Sequence, residues 1–196
     1  AKAVAEGAGP LAAECILSDE AKALLGDGAM APGAYLARLM EAELLFDAIA
    51  FLAACLPKRE GAWWSAQAAR MTDLGDEHSL ARRTVRAAEA WVVKPSEDTR
   101  YAAADLAEEL GTDAPAAWAA LAAFWSGDSL TPRDAPKVPP GPFLAARAVS
   151  GGVIMSAAAV EDAAEIPARQ RALLQKGIDI ANGGTGRDAA DGGAPG

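Results

Sequence analysis

The residues that could carry out chemistry in this sequence are few, and their spacing does not bring them together. His78 is the one histidine, and it lies in the polar stretch Gly-Asp-Glu-His-Ser without a helical His-Glu spacing near it. A protein metal site needs several such ligands at characteristic spacings. We therefore expect His78 to be a surface residue, and the sequence predicts neither a metal site nor a site for any other cofactor.

Acidic pairs could act as a general acid and a general base. Glu108-Glu109 and Glu161-Asp162 lie at predicted helix ends or solvated faces, so we interpret them as solubilising charge. The Gly-Gly-Thr-Gly run at 183–186 resembles a phosphate loop only in composition, because it lacks a lysine, a preceding strand and a following helix. No Gly-x-Ser-x-Gly motif or Walker loop occurs, so nothing assembles a nucleophile.

The two cysteines do not form a redox or metal motif. Cys15 and Cys55 lie in separate apolar stretches, without Cys-x-x-Cys spacing. We interpret them as buried free thiols in a reducing compartment. The N-terminus shows no charged stretch followed by an apolar run, so no secretory signal is visible. We therefore expect a cytoplasmic protein.

The composition favours closely packed helices. Hydrophobic residues make up 52% of the 196 residues, but 51 residues are alanine, so large apolar side chains are scarce. Alanine is the strongest helix former and adds little buried area. Cysteine is too rare for a disulfide scaffold, and the apolar content is too high for global disorder.

The charge and the hydropathy pattern argue against two classes of partner. The formal net charge is −9 and the sequence pI is near 4.6, whereas phosphate backbones and anionic lipids attract basic surfaces. The apolar stretch 143–160 approaches the length of a membrane span but contains Arg147, Gly151 and Gly152. We expect no nucleic-acid partner, no membrane insertion and a soluble chain in which 143–160 is a central packed helix.

Helix start and stop signals recur along the chain, and no stretch alternates as a strand would. Ser18 and Ser96 are placed as N-caps, and Pro32, Pro115 and Pro167 as first-turn residues. The connections are short, so successive helices should pack antiparallel. The sequence predicts an all-α fold, an irregular antiparallel bundle or array of about nine or ten helices with no sheet.

The clearest predicted helix spans 41–56. Phe46 and Phe51 widen its apolar stripe so far that we expect the helix to be mostly buried. The stripe itself consists of Leu45, Ile49, Leu52 and Leu56. A short helix is predicted over 11–17 and another over 59–71.

The predicted domain organisation has three parts. Residues 1–10 form a flexible N-terminus, residues 11–182 a single helical domain, and residues 183–196 a disordered Gly-rich tail. Within the domain, 126–142 carries five prolines and cannot be helical inside. This Pro-rich strap either packs across the helices or is an exposed ligand segment, and we favour the packed strap.

The most distinctive short stretch is 56–64, Leu-Pro-Lys-Arg-Glu-Gly-Ala-Trp-Trp. Adjacent helical residues point about 100° apart, so one tryptophan can be core while the other lies between helices, in a groove or against Arg59. One interpretation is a charged corner that fixes the angle between two helices. The other is a partner-binding site, with candidate residues Lys58, Arg59, Glu60, Trp63 and Trp64.

Four stretches resemble an uncharacterised family of small, Ala-rich, helical bacterial proteins. They are Pro-Gly-Ala-Tyr-Leu-Ala-Arg-Leu at 32–39, Phe-Leu-Ala-Ala-Cys-Leu-Pro-Lys-Arg-Glu-Gly-Ala-Trp-Trp at 51–64, Ala-Glu-Ala-Trp-Val at 88–92 and Ala-Ala-Trp-Ala-Ala-Leu-Ala-Ala-Phe-Trp-Ser-Gly at 116–127. The resemblance covers about residues 11–182. Such proteins are similar to ones encoded beside type VI secretion spike and adaptor genes, which implies an accessory or adaptor role. The family carries no established activity for any residue.

From these observations we expect a non-enzymatic protein–protein interaction module, a cytoplasmic accessory or adaptor of type VI secretion. The alternatives are an enzyme with an unrecognised site in the Trp-lined region and a purely structural scaffold. An enzyme needs a concave pocket with converging polar groups, whereas a binding module needs an exposed apolar groove or patch. The identity of the protein partner and the oligomeric state stay open.

Overall fold

The architecture is all-α, as the sequence predicts. The computed structural model describes residues 7–187, and within them it contains ten α-helices, one 3-10 turn at 163–165 and no strand. The helices are α1 Gly9–Ala12, α2 Asp19–Leu25, α3 Pro32–Glu41, α4 Leu45–Cys55, α5 Lys58–Ala69, α6 Leu80–Val93, α7 Glu97–Leu110, α8 Pro115–Phe124, α9 Leu144–Ala158 and α10 Ile166–Ala181. Across residues 7–187, no helix combines the length and the apolar character needed to cross a membrane.

The core is centred on α5, α8 and α9, which pack against one another. Helices α6 and α7 pack on α8, and α4 and α10 pack on α9, while α1 and α3 contact α4. Helix α8 is buried through methyl groups on several sides, since its fully buried residues are all alanines. The alanine excess therefore lets helices approach α8 closely from several directions.

The capping signals set the helix boundaries as expected. The Ser18 hydroxyl accepts a hydrogen bond from the Ala21 amide at 3.1 Å, which caps α2. The Ser96 hydroxyl and the Thr99 side chain form a reciprocal capping box at the start of α7. Gly111 ends α7 with a φ of +84°, a conformation that glycine adopts without strain.

The predicted helix over 41–56 is wrong in its first turn. Helix α3 continues to Glu41, and α4 begins only at Leu45. Between them the chain turns sharply through Glu43, whose φ is +59°. The buried stripe is right, but Phe46 is 54% exposed, because the side of α4 that carries it is not covered.

The predicted N-terminal boundary also needs correction. Residues 1–6 lie outside the described range, but Ala8 is buried and its amide donates to the Met30 carbonyl at 2.7 Å. The predicted helix over 11–17 is α1, which lies earlier and ends at Ala12. The residues that follow it are extended where they enter α2.

The Pro-rich strap is anchored on α7 by Arg100. This side chain is 1% exposed, and its Nη1 donates to the Ser129 carbonyl at 2.8 Å. Its guanidinium lies 4.4 Å from the ring centre of Tyr101 and 4.9 Å from that of Phe124. The strap also closes on itself, since the Leu130 amide donates to the Val138 carbonyl at 2.8 Å. These contacts fit the interpretation of a packed strap.

Candidate functional site

The structure does not gather the residues that could do chemistry. His78 lies exposed in the loop before α6, and its backbone amide donates to the Asp76 carboxylate at 2.8 Å. The acidic pairs at 108–109 and 161–162 are exposed. Among the described residues, no group of three or more His, Cys, Asp or Glu side chains could hold a metal ion. The chemistry-capable residues are thus spread over the surface.

Both cysteines are free, half-buried thiols. Burial raises the pKa of the Cys15 thiol to about 11 and that of Cys55 to about 12. The Cys15 Sγ donates to the Leu11 and Ala50 carbonyls, at 3.3 and 3.6 Å. Cys15 therefore fixes the segment after α1 onto α4.

The fold does not bring the five candidate partner-binding residues together at one surface. Trp64 is fully buried, and its Nε1 donates to the Leu173 carbonyl at 2.8 Å, so it cannot contact a partner. Lys58 points away from Trp63 and donates to the Ser126 carbonyl at 3.3 Å. Arg59, Glu60 and Trp63 remain together in an open depression of about 470 Å³, which we call the Trp63 corner.

Inside the Trp63 corner, the polar groups bind the chain itself. The Trp63 Nε1 donates to the Thr185 carbonyl at 2.7 Å, and the guanidinium over its ring, at 4.9 Å, belongs to Arg187. Arg59 does not stack on Trp63 but donates to the carbonyls of Val92 and Val93. These carbonyls end α6, where a cation offsets the helix dipole and satisfies free acceptors. Arg59 therefore fixes the angle between α5 and α6.

The Gly-rich run at 183–186 folds back on α10, so the predicted disordered tail needs correction for residues 183–187. The Gly186 amide donates to Asp179 Oδ2 at 2.8 Å, and the Gly184 amide donates to the Asp179 backbone carbonyl at 2.8 Å. A β-carbon on Gly184 would collide with the Asp179 carboxylate. The anion that this loop holds is thus the chain's own carboxylate. The remainder of the predicted tail, 188–196, lies outside the described residues.

A second depression lies between α4 and α9, and its lining is mostly apolar. We call it the α4–α9 groove; its volume is about 370 Å³. Helix α4 contributes Phe46, Ala50 and Ala54, which follow one another at i, i+4 and i+8 along its uncovered side. The other apolar lining residues are Cys15, Ile16, Phe143, Ala146, Gly151 and Ile154.

Two large apolar side chains at this groove are open to solvent. Ile16 is 90% exposed and Phe46 is 54% exposed. Charged groups also line the groove, namely Glu14, Asp47 and Arg147. Asp47 is committed to the fold, since its carboxylate accepts the Ser18 amide at 2.7 Å and the Ser18 hydroxyl at 3.0 Å. An apolar depression lined by an exposed isoleucine and an exposed phenylalanine has the properties of a docking surface.

The α4–α9 groove adjoins a smaller pocket that is lined by Lys58, one of the five candidate partner-binding residues. This pocket, of about 70 Å³, shares Ala54, Phe143 and Ala146 with the groove. Lys58 therefore belongs with the α4–α9 groove and not with the Trp63 corner.

Comparison with family models matches residues 35–181 to DUF6931, a family of unknown function. The match covers most of the chain. The chain belongs to the DUF6931 family. Neither curated proteins nor solved structures provide a match. The match confirms the expectation of an uncharacterised family. In this DUF6931 member the matched range includes α4, α9 and those residues of the Trp63 corner that lie in α5, α6 and α10.

The sequence does not indicate the α4–α9 groove, and the reason is physical. Before the Ser18 cap, Leu17 is buried and Cys15 is half-buried, while Ile16 between them is 90% exposed. The signal was the position of three apolar residues just before the Ser18 cap. The sequence around Phe46 gives no such indication. The pattern of apolar residues along one side of a helix is the same whether or not another helix covers that side.

Proposed function

We propose that this DUF6931 member is a non-enzymatic protein–protein interaction module that receives a protein partner in the α4–α9 groove. The observation that carries the proposal is the open apolar side of α4, Phe46 with Ala50 and Ala54, beside the exposed Ile16. Contiguous exposed apolar surface is uncommon on a monomer and typical of interaction sites. Covering Phe46 and Ile16 would remove apolar area from water and so favour association.

The α4–α9 groove supports binding better than the Trp63 corner does. In the corner, the Trp63 indole and the Arg59 guanidinium already bind backbone carbonyls of the chain. A partner there would have to replace these hydrogen bonds or leave them in place and use only Glu60 and the exposed Val93. In the groove the apolar side chains need only lose water.

The cellular role belongs to the same proposal. Resemblance to proteins encoded beside type VI secretion genes supports an accessory or adaptor role in that system. The free thiols support a reducing compartment, the cytoplasm. In this role the chain would hold a secretion component through the groove without changing it chemically.

Affinity capture from the native host tests the proposal. Full-length chains carrying Ile16→Glu or Phe46→Glu should lose a partner that the unmodified chain recovers, because a carboxylate would be desolvated in an apolar interface. Val138→Glu is the matched control, since Val138 is a 49% exposed valine on the Pro-rich strap, outside the groove. Type VI secretion components are expected among the recovered proteins.

The alternatives predict a different result. An enzyme with a site in the Trp-lined region, or a purely structural scaffold, would give the same recovered proteins with Phe46→Glu as with Val138→Glu. Circular dichroism of each variant checks that the helices are retained. Equal recovery with intact helices would overturn the proposal.

A further inference from the structure

The α4–α9 groove has the shape and the charges of a seat for one helix. We propose that its occupant is a single amphipathic helix of a partner protein, whose apolar stripe is flanked by a basic residue on one side and an acidic residue on the other. This inference rests on the proposed function and specifies the partner. It follows from the length of the groove, from its small residues and from two of its charged lining residues.

The groove matches a helix of about three turns. Along α9 its lining runs from Phe143 to Ile154, which is about 16 Å at 1.5 Å per residue. Ala50 and Ala54 of α4 and Ala146 of α9 line it with methyl groups, so the backbone of another helix can come close. Helix-in-groove recognition uses anchors at i, i+3 or i+4 and i+7, which a segment of this length provides.

Two charged lining residues, which come from different segments of the chain, define the flanks of the occupant. Glu14 comes from the segment that Cys15 fixes onto α4, and Arg147 comes from α9. Both are exposed, and within residues 7–187 neither side chain forms a hydrogen bond or a salt bridge. A partner helix that places a lysine or arginine near Glu14 and an aspartate or glutamate near Arg147 would pair both charges.

The shape favours a helix over two other occupants. A second copy that paired through the same groove about a two-fold axis would set one concave groove against another and leave a void between them, which costs packing contacts. A small apolar ligand is normally enclosed on most sides, whereas this groove is partly open to solvent. A convex helix fills an open groove between two helices.

Photo-crosslinking from position 46 identifies the occupant. The full chain with benzoylphenylalanine in place of Phe46 is expressed in the native host and irradiated, and the crosslinked species are characterised by mass spectrometry. The expected product is a segment of another protein with apolar residues at helical spacing and opposite charges on the two flanks. Crosslinking to a second copy of this chain, to a lipid or to a segment without helical periodicity would overturn the inference.

Charge reversal then tests the predicted pairing. The crosslinked segment is synthesised as a fluorescent peptide, and its dissociation constant is measured by anisotropy. Arg147→Glu should weaken binding roughly five- to tenfold, and reversal of the facing acidic residue in the peptide should restore it. Arg83→Glu is the matched control, since Arg83 is an exposed arginine on α6, outside the groove, and should change binding less than about twofold. Weakening without rescue would contradict the pairing.

Failure of the proposed function can be distinguished from failure of this inference alone. If Phe46→Glu leaves every recovered partner unchanged, the proposed function fails and the inference with it. If Phe46→Glu abolishes recovery but the crosslinked segment is not a flanked amphipathic helix, only the inference fails.

Discussion

The indole of Trp64 occupies the space where a β-carbon on Gly177 would lie. A β-carbon built there falls 2.6 Å from the Trp64 ring and 2.8 Å from a Leu52 methyl group. The same indole donates through Nε1 to the Leu173 carbonyl at 2.8 Å, one helical turn before Gly177. Trp64 therefore locks α5 onto α10, and Gly177 is the residue that permits the contact.

Gly177→Ala should destabilise the fold. Overpacking at a contact this tight typically costs about 1–3 kcal/mol, even though alanine is the better helix former. Gly33→Ala in α3 is the control, because nothing lies within 4 Å of its β-carbon position. Chemical denaturation of the two variants checks the prediction: Gly177→Ala should have the lower free energy of unfolding, and equal values would contradict the packing.

Arg100→Ala should release the Pro-rich strap. The Ser129 carbonyl would lose its charged donor, and the space between Tyr101 and Phe124 would empty. The expected loss in the free energy of unfolding is about 2–4 kcal/mol, the range for breaking a buried charged hydrogen-bond network. Arg83→Ala, an exposed arginine on α6, should cost less than about 0.5 kcal/mol.

Hydrogen exchange locates the effect of Arg100→Ala. The Leu130 amide donates to the Val138 carbonyl inside the strap and should exchange faster in the variant than in the unmodified chain. Unchanged exchange at Leu130 would show that the strap does not depend on Arg100.

The ion pair between Glu97 and Arg100 predicts a loss of stability in acid. Hydrogen bonds from the Arg100 guanidinium, at 2.8 and 2.7 Å, hold the pKa of the Glu97 carboxyl below its ordinary value of 4.5. A carboxyl whose pKa is lowered by folding stabilises the fold above that ordinary value, and the contribution is lost as the pH falls through the lowered pKa. The unmodified chain should therefore exceed Glu97→Gln in stability near neutral pH, and the difference should narrow below about pH 4.5.

Urea unfolding at a series of pH values measures this difference. Glu108→Gln is the control, since Glu108 is an exposed glutamate of the same helix, α7. A gap between the unmodified chain and Glu97→Gln that widens toward acid would contradict the assigned sign.

The two thiols should react slowly with alkylating and disulfide reagents in the folded chain. With a pKa of about 11, only about one thousandth of Cys15 is thiolate at about pH 8, and Cys55, with a pKa of about 12, is still less ionised. Rates should rise with pH, and in denaturant both thiols should react as free cysteines do. Rapid labelling of the folded chain near pH 8 would show that burial does not raise these pKa values.

Much of the fold could be predicted because its signals are local. Ser18, Ser96 and Gly111 end or begin helices through hydrogen bonds and backbone angles that involve only neighbouring residues. The boundary at Glu43 was missed because a residue other than glycine adopts a positive φ there, which no local preference indicates. Arg100 was missed because its partners on the strap lie about thirty residues away in the chain.

The candidate site could be predicted only in part. The two tryptophans show why. Trp63 and Trp64 are adjacent in the sequence, yet the Trp64 indole donates to a carbonyl of α10 and the Trp63 indole to a carbonyl of the segment after α10. Which one is buried depends on where α10 packs, a long-range property. The α4–α9 groove is likewise a long-range property, because it exists only where none of the described helices covers Phe46. No sequence pattern shows that one side of a helix stays uncovered.

The most direct test of the central claim is the dissociation constant of the captured partner. It is measured by calorimetry for Phe46→Glu, Val93→Glu and Val138→Glu. These exposed apolar residues lie at the α4–α9 groove, the Trp63 corner and the Pro-rich strap. We predict that Phe46→Glu weakens binding at least about tenfold and that the other two change it less than about twofold. Weaker binding with Val93→Glu and unchanged binding with Phe46→Glu would contradict the account and place the partner at the Trp63 corner.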